Sequence, residues 1–399
     1  MNRRLRVAAQ SLVCAALSLT ALTAGTAAAA PPPSAASADP APGTRSERPR
    51  LPATTGPYAV GRDTLHLVDG SRTDPWVPEA GARELMVTVY YPARRGTGGP
   101  ARYATTEEAR LLLRNLGLEG VVRPETVSGT VTRSRTGARP LPGSHPLVLL
   151  SPGLSAGRYS LTSLAEDLAS RGYLVAAVDH AYESFGTSFP GGRVLTCVAC
   201  EQAETGEDLR RATEGRARDL TFVLDQLTGG RPDLPYARLI DRARIGVAGH
   251  SLGGATSIPA MAADGRFRAG LNMDGAFHAP VPPGGLGGRP VLMLGTDDEV
   301  HRPGGRDATW DATWRGLDGW KRWLTVAGAD HNSFTDHPVL APYLATPAAR
   351  AGTAPAGEQL VATTRGVVAA HFDRHLNGIP QAVLDGPVPD QPLVRYHRP

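Results

Sequence analysis

Hydrophobic positions along the chain fall into two alternating patterns: short apolar runs, and longer segments with apolar residues at helical spacing. The apolar runs predict strands at Leu85–Tyr91, Pro146–Leu150, Tyr173–Val178, Arg244–Ala248, Gly270–Met273, Pro290–Leu294 and Arg322–Val326. The helical spacing predicts helices at Tyr159–Ser170, Asp208–Leu227, Leu252–Ala263, Ala308–Trp314 and Gly357–Leu376. Most runs are apolar without interruption, as in strands covered on both faces. The pattern predicts an α/β fold with a mostly parallel central sheet flanked by helices, in one domain whose first β runs form an antiparallel edge.

The N-terminus interrupts this pattern. Residues 1–30 read as a cleaved export signal, because a charged start (MNRRLRV) is followed by an apolar stretch and then by small residues (TAAAAPPP). The apolar stretch contains Gln10 and Ser18 and is shorter than the roughly 20 residues of a membrane-spanning helix, which argues against an anchor. Residues 31–55, rich in proline and alanine, are predicted to be a disordered linker, and residues 56–399 the folded domain. We therefore expect a secreted protein.

Composition restricts the classes of partner. The chain has 42 Lys and Arg against 38 Asp and Glu, and its arginines are scattered among acidic residues, so a nucleic acid is not expected to bind. After the export signal the cysteines are Cys197 and Cys200. In an exported chain this spacing favours a local disulfide, and without a second pair no zinc site is predicted.

Candidate chemistry begins at the segment RIGVAGHSLGGA. The predicted strand Arg244–Ala248 leads directly into the helix that begins at Leu252, which places Ser251 on a strand-to-helix turn. Bulk two residues before or after Ser251 would collide with neighbouring backbone, and glycine occupies both positions, Gly249 and Gly253. The start of the following helix offers free N–H groups to a developing oxyanion. Ser251 is therefore predicted to be a nucleophile rather than a serine of an ordinary turn.

A serine nucleophile needs a base and an orienting carboxylate. His331, in TVAGADHNSFTD, directly follows the last predicted strand and is the predicted base, with His337 as the nearest rival. Two carboxylates compete as the acid: Asp274 ends the strand after the nucleophile's helix, and Asp298 follows the next strand. The residue pattern leaves both open.

Three segments carry a family resemblance: LLSPGLSAGRYSLTSLAEDLASRGYLVAAVDH, GVAGHSLGGA with LNMDGAF beyond it, and GADHNSFTD. Over residues 85–376 the chain resembles the platelet-activating-factor acetylhydrolase-like branch of the α/β-hydrolases and, more broadly, secreted actinobacterial lipase-like and cutinase-like hydrolases. The resemblance to the first branch implies Asp274 as the acid, whereas polyester-cleaving and cutinase-like relatives place the acid one strand later, at Asp298. It also implies an oxyanion hole built from the N–H groups of Leu252 and Leu154.

The resulting hypothesis is a secreted serine esterase that forms an acyl-enzyme and requires neither a metal nor an organic cofactor. The resemblance implies a small-molecule or lipid ester substrate, with short or phospholipid-type acyl groups and transient contact with a lipid surface. The alternatives are a polyester or cutinase-like hydrolase, a peptidase or acyltransferase with the same residues, and a non-catalytic binding protein of the same fold. The oligomeric state is left open. Four aromatic residues are candidates to line an acyl pocket: Tyr182, Phe185, Phe277 and Phe334.

Overall fold

The computed structural model describes residues 48–229, 234, 236–345 and 354–399. The strands, in chain order, are β1 Ala59–Thr73, β2 Ala82–Ala93, β3 Gly99–Pro100, β4 Ser134–Thr136, β5 His145–Ser151, β6 Leu174–His180, β7 Thr187–Ser188, β8 Val194–Leu195, β9 Ile240–His250, β10 Phe267–Met273, β11 Val291–Thr296, β12 Lys321–Val326 and β13 Val394–His397. The helices are α1 Thr106–Asn115, α2 Pro124–Ser128, α3 Thr162–Ser170, α4 Ala199–Gln202, α5 Gly206–Thr228, α6 Leu252–Ala255, α7 Ser257–Ala263, α8 Ala308–Gly316, α9 His337–Leu344 and α10 Ala354–Asn377.

One mixed sheet organises the domain, with strand order β13-β12-β11-β10-β9-β5-β6-β2-β1-β4-β3. Its centre, from β6 to β12, is parallel. Strands β2 and β1 join antiparallel on one side and β13 joins antiparallel on the other. The strands at the two ends are short, two residues in β3 and four in β13. Each predicted strand is present, so the predicted fold class, a mostly parallel sheet with an antiparallel edge, is confirmed.

Side chains of the central strands alternate between two hydrophobic cores, one on each face of the sheet. In β5, Leu147 and Leu149 belong to one core, and Val148 and Leu150 belong to the other. Helix α5 covers the first core, and α3 and α10 cover the second. The face that α5 buries is spaced at three and four residues along the helix: Leu220, Val223, Leu224 and Leu227. Burial on both faces explains why the strands read as unbroken apolar runs.

The predicted helices are present in the structure, but their ends are shifted. Helix α5 begins two residues before its predicted start, because Thr205 and Asp208 cap it reciprocally through side-chain and backbone hydrogen bonds of 3.0 and 3.1 Å. The segment predicted as one helix after Ser251 is divided at Thr256 into α6 and α7. Apolar spacing thus located the helices, and local capping set their ends.

The folded domain begins earlier than the sequence predicts. Residues 48–55, assigned to the disordered linker, pack on the domain: Leu51 is completely buried and donates its N–H to the Val131 carbonyl at 2.9 Å. Thr55 Oγ1 donates to Asp167 Oδ1 at 2.8 Å. An extended segment held through its backbone shows no apolar periodicity, which is why the boundary at residue 56 needs correction. Residues 1–47, with the predicted export signal, lie outside the described residues.

The cysteine pair lies in the connection between β8 and α5. Cys197 and Cys200 are joined in a disulfide across the start of α4. Cys197 is buried, so one end of the bridge lies in the protein interior. Among the residues that the structure describes, no helix has the length and apolar character to cross a membrane.

A buried histidine on α10 is expected to make the protein sensitive to acid. His371 is completely buried, and burial holds its pKa well below the ordinary value. The folded protein keeps this ring neutral, whereas the unfolded chain protonates it once the pH falls below about 6.5, so stability is lost below that pH. The loss reaches about 2 kcal/mol at pH 5 if the folded ring stays neutral. Urea unfolding of wild type and His371→Phe at pH 7 and pH 5 measures it; an equal fall in both proteins would contradict the assignment.

Candidate active site

The predicted nucleophile lies on a sharp turn between β9 and α6. Ser251 has φ 54° and ψ −125°, a strained conformation for a residue with a side chain. A Cβ on Gly249 would lie 2.3 Å from the Gly253 carbonyl carbon, and a Cβ on Gly253 would lie 2.0 Å from the Ser151 carbonyl oxygen. Neither position has room for alanine. The two glycines therefore allow the turn that brings Ser251 to the carboxyl edge of the sheet, as the sequence predicts.

The structure brings three predicted residues together in one chain of hydrogen bonds. Ser251 Oγ lies 3.0 Å from His331 Nε2, and His331 Nδ1 lies 2.7 Å from Asp274 Oδ2. His331 begins a short 3-10 helix five residues after the end of β12, and Asp274 directly follows β10. The Asp274 side chain is 1% exposed and that of His331 51% exposed. A hydroxyl, an imidazole and a buried carboxylate thus stand in the order that proton abstraction from the serine would require.

Between the two candidate acids, the structure places Asp274 and not Asp298 against His331. The second oxygen of Asp274 accepts the Thr296 N–H at 2.7 Å, and His301 Nδ1 lies 3.3 Å from it. Asp298 accepts from Thr296 Oγ1 and from the N–H groups of Val300 and His301, at 2.8 to 3.0 Å. Asp298 therefore shapes the turn after β11. The rival base His337 is the first residue of α9 and lies half-buried there.

The loop after β5 passes beside the nucleophile. A Cβ on Gly153 would lie 3.3 Å from the Ser251 Cβ. Ser155, at φ 72°, donates its N–H to the Glu183 carbonyl at 2.8 Å and accepts the Phe185 N–H at 2.9 Å. Leu154 thus stands in a held loop next to Ser251, and Leu252 is the first residue of α6. Leu252 directly follows Ser251 in the chain and Leu154 lies in the neighbouring loop, and the roles of their N–H groups as oxyanion donors remain predictions.

His250, immediately before the nucleophile, is a site residue that the sequence reasoning missed. It is buried, its Nε2 donates to the His331 carbonyl at 2.7 Å, and the two rings lie 4.6 Å apart. Burial and the neighbouring His331 lower the pKa of His250 to about 4, so His250 is neutral at ordinary pH. His250 thereby fixes the backbone of His331, the predicted base. Its position next to Ser251 in GHSLGG is the signal that could have found it.

Two of the four aromatic candidates pack as core residues. Phe277 packs edge-on against Trp310 in one core, and Phe334 belongs to the other. Tyr182 and Phe185 remain partly exposed, and the Phe185 backbone bonds to Ser155 beside the nucleophile. Tyr182 and Phe185 are therefore the candidates that remain partly open. Within the described residues, no group of three or more His, Cys, Asp or Glu side chains is placed to hold a metal ion.

Comparisons with known proteins show which family the chain resembles. Residues 43–190 and 236–351 match the family model described as platelet-activating factor acetylhydrolase, isoform II. The chain is 28% identical over 318 residues to the probable 1-alkyl-2-acetylglycerophosphocholine esterase of Arthroderma benhamiae, which covers 73% of this chain and 77% of that protein. It is 28% identical over 251 residues to the platelet-activating factor acetylhydrolase of Cavia porcellus, which covers 56% of this chain and 55% of that protein. A solved structure of a ferulic acid esterase from Streptomyces cinnamoneus matches with a TM-score of 0.76 and 41% identity, over 88% of this chain and 99% of that one.

Proposed function

The chain belongs to the platelet-activating factor acetylhydrolase isoform II family, a family of carboxylic-ester hydrolases with the α/β-hydrolase fold, and we propose that it is a secreted serine esterase acting through Ser251, His331 and Asp274. The observation that carries the proposal is the continuous hydrogen-bond chain from Ser251 Oγ through His331 to Asp274, with distances of 3.0 and 2.7 Å. Asp274 as the acid favours this family over the cutinase-like alternative, which would use Asp298. A binding protein without catalysis would not need the strained turn, the base and the carboxylate together.

The proposed reaction proceeds through an acyl-enzyme. His331 Nε2 takes the hydroxyl proton as Ser251 Oγ attacks the ester carbonyl carbon, and Asp274 stabilises the imidazolium that forms. The oxyanion accepts hydrogen bonds from the N–H groups of Leu252 and Leu154. Collapse of the tetrahedral intermediate expels the alcohol, which receives its proton from His331. Water, activated by the same base, then releases the acid and restores Ser251.

Short acyl esters are the proposed substrates. The family and the fungal relative named as a 1-alkyl-2-acetylglycerophosphocholine esterase support an acetyl-sized acyl group. A second candidate is an aromatic acyl group of the hydroxycinnamate type, because identity to the ferulic acid esterase is 41%, against 28% to the fungal esterase. Phe185 is partly exposed and its backbone is bonded to Ser155, in the loop beside Ser251, so its ring is the one proposed to stack on such a group.

Secretion is proposed from residues 1–30, which have the charged, apolar and small-residue regions of an export signal. Expression of the full chain in a secreting bacterial host tests it. The protein is expected in the medium with its N-terminus cleaved near residue 30, as read by mass spectrometry. Full-length protein retained in the cells would contradict the proposal.

Substrate preference is predicted to follow acyl size. The purified protein is expected to hydrolyse p-nitrophenyl acetate at least about 10-fold faster, in kcat/KM, than p-nitrophenyl palmitate, since one methylene misplaced in a pocket already costs about 1–3 kcal/mol. Methyl ferulate assayed alongside decides the second candidate: a higher kcat/KM for it than for methyl acetate would assign the aromatic substrate. p-Nitroacetanilide controls for amide cleavage. A folded protein that turns over none of these esters would refute the esterase proposal.

A further inference from the structure

A cluster of charged and polar side chains is buried directly behind the loop that carries Leu154. Its members, which we call the buried charged cluster, are each at most 2% exposed: Asp74, Arg83, His180, Glu183, Arg216 and Asp219. They come from β2, β6, α5 and the connections between strands. Buried charges are retained in proteins when they are paired and when their geometry is fixed. The cluster is therefore a rigid element next to the proposed active site.

Glu183 is the centre of this cluster. Its Oε1 accepts from Arg83 at 2.7 Å and its Oε2 accepts from Arg216 at 2.6 Å. Arg83 also bonds to Asp74 and Asp219, each at 2.7 Å. Burial opposes ionisation of Glu183, but Arg216 and Arg83 hold its pKa below the ordinary value. The Arg216 guanidinium is thus fixed at its Nε and presents its Nη atoms in a set direction.

The cluster contacts the loop at three successive points. His180 Nε2 lies 2.9 Å from Ser151 Oγ, Arg216 Nη1 donates to the Pro152 carbonyl at 2.6 Å, and the Glu183 carbonyl accepts the Ser155 N–H at 2.8 Å. The last two bonds tie the peptide groups on either side of the Gly153–Leu154 peptide. Since glycine at position 153 leaves the backbone otherwise free to rotate, these bonds set the direction of the Leu154 N–H.

Ser151 could be mistaken for a second nucleophile. Its hydroxyl contacts His180, whose Nδ1 lies 2.8 Å from Asp219 Oδ2, so the order of groups matches that of Ser251, His331 and Asp274. However, Ser151 is completely buried and no ester can reach it. This second chain of hydrogen bonds serves as an anchor for the loop.

We propose that Arg216 is a positioning residue for ester hydrolysis: held by Glu183, it fixes the Pro152 carbonyl so that the Leu154 N–H meets the oxyanion of the transition state. This inference rests on the proposed function, in which Leu154 is an oxyanion donor. Arg216 does not touch the substrate. Its contribution is to pre-orient a donor, which lowers the barrier without changing the affinity for the ester.

The test compares Arg216→Met and Arg216→Lys with the matched control Arg83→Met. Arg83 is equally buried and pairs with the same Glu183, but its backbone contact is the Ala181 carbonyl rather than the loop. Each protein is assayed with p-nitrophenyl acetate and with p-nitrophenyl thionoacetate. Sulfur accepts hydrogen bonds weakly, so the ratio of the two kcat/KM values reports the oxyanion hole. A fluorophosphonate titration counts reactive Ser251, and the melting temperature reports stability.

Arg216→Met is expected to lower kcat per titrated site by about 10- to 100-fold with KM nearly unchanged, because a displaced donor loses part of the roughly 10²- to 10³-fold that a deleted donor costs. The oxoester-to-thionoester ratio is expected to fall with it. Arg216→Lys, which keeps the charge and a donor, recovers part of both and decides the question if Arg216→Met does not fold. Arg83→Met is expected to lower the melting temperature while keeping the wild-type ratio.

The proposal is overturned if the oxoester-to-thionoester ratio in the Arg216 variants equals that of wild type. It is also overturned if Arg83→Met lowers this ratio as much as Arg216→Met does, because the effect would then come from a loss of stability. A further result distinguishes failure of the Arg216 proposal from failure of the proposed esterase function. If wild-type protein neither reacts with the fluorophosphonate nor hydrolyses the ester, the proposed function itself is wrong, and the role of Arg216 falls with it.

Discussion

Replacing Ser251 with alanine is expected to lower kcat for p-nitrophenyl acetate by about 10⁵- to 10⁶-fold, the loss found when a serine hydrolase loses its nucleophile. The acyl-enzyme cannot form without Oγ, and only the donors around the carbonyl would remain to assist attack by water. Initial rates of p-nitrophenol release, with the variant purified on fresh resin, measure the loss. Alanine removes a polar atom from a strained turn, so the variant is expected to fold.

Ser257→Ala is the matched control. Ser257 lies on α7, six residues beyond the nucleophile, is completely buried, and makes no hydrogen bond through Oγ to any described residue. Its loss is expected to change kcat less than about twofold, in line with substitutions away from special features. Ser251→Ala retaining more than a hundredth of wild-type activity would contradict the assignment of the nucleophile.

The second large effect is expected at the acid. Asp274→Asn is expected to lower kcat by about 10⁴-fold, whereas Asp298→Asn lowers it by less than about 10-fold. In Asp274→Asn the amide oxygen keeps the Thr296 N–H bond, so its NH₂ group faces His331 Nδ1. The ring must then carry its proton on Nε2, and that atom can no longer accept the Ser251 proton.

The pair of asparagine variants is informative because each variant removes one carboxylate, and the two carboxylates follow neighbouring strands of the sheet. Rates with p-nitrophenyl acetate and fluorophosphonate labelling of Ser251 measure their effects in the same samples. The opposite ranking, with Asp298→Asn the weaker enzyme, would move the acid to the strand used by cutinase-like relatives. Equal losses would mean that the turn after β11 positions Asp274 through Thr296, rather than that either acid acts alone.

The sequence was sufficient to predict the sheet and the sharp turn that carries Ser251. Strands buried on both faces carry mostly apolar residues, so they appear as apolar runs. The steric demand of the turn at Ser251 appears directly as glycine at positions 249 and 253. The choice between Asp274 and Asp298 was not available from the residue pattern, because both follow adjacent strands that end at one edge of the sheet. Only the three-dimensional path of the loop carrying His331 separates them.

Other features left no pattern in the sequence at all. The segment at residues 48–55 is held by backbone hydrogen bonds, which any residue type can make. The buried charged cluster draws Asp74, Glu183 and Arg216 from distant parts of the chain, and each alone reads as a surface residue. The linker boundary and the support behind Leu154 therefore required coordinates.

The ends of the large sheet have a consequence for how this protein meets other copies of itself. The last strand on one side, β3, is two residues long and ends in Pro100, which has no N–H to donate, and the last on the other side, β13, is four residues long. Strands this short offer too few free backbone N–H and C=O groups to pair with a strand of another chain. These two terminal strands are therefore poor templates for edge-to-edge pairing, and the longer edge of the sheet lies on β1, whose pairing with β4 covers only Val60–Arg62 of its 15 residues.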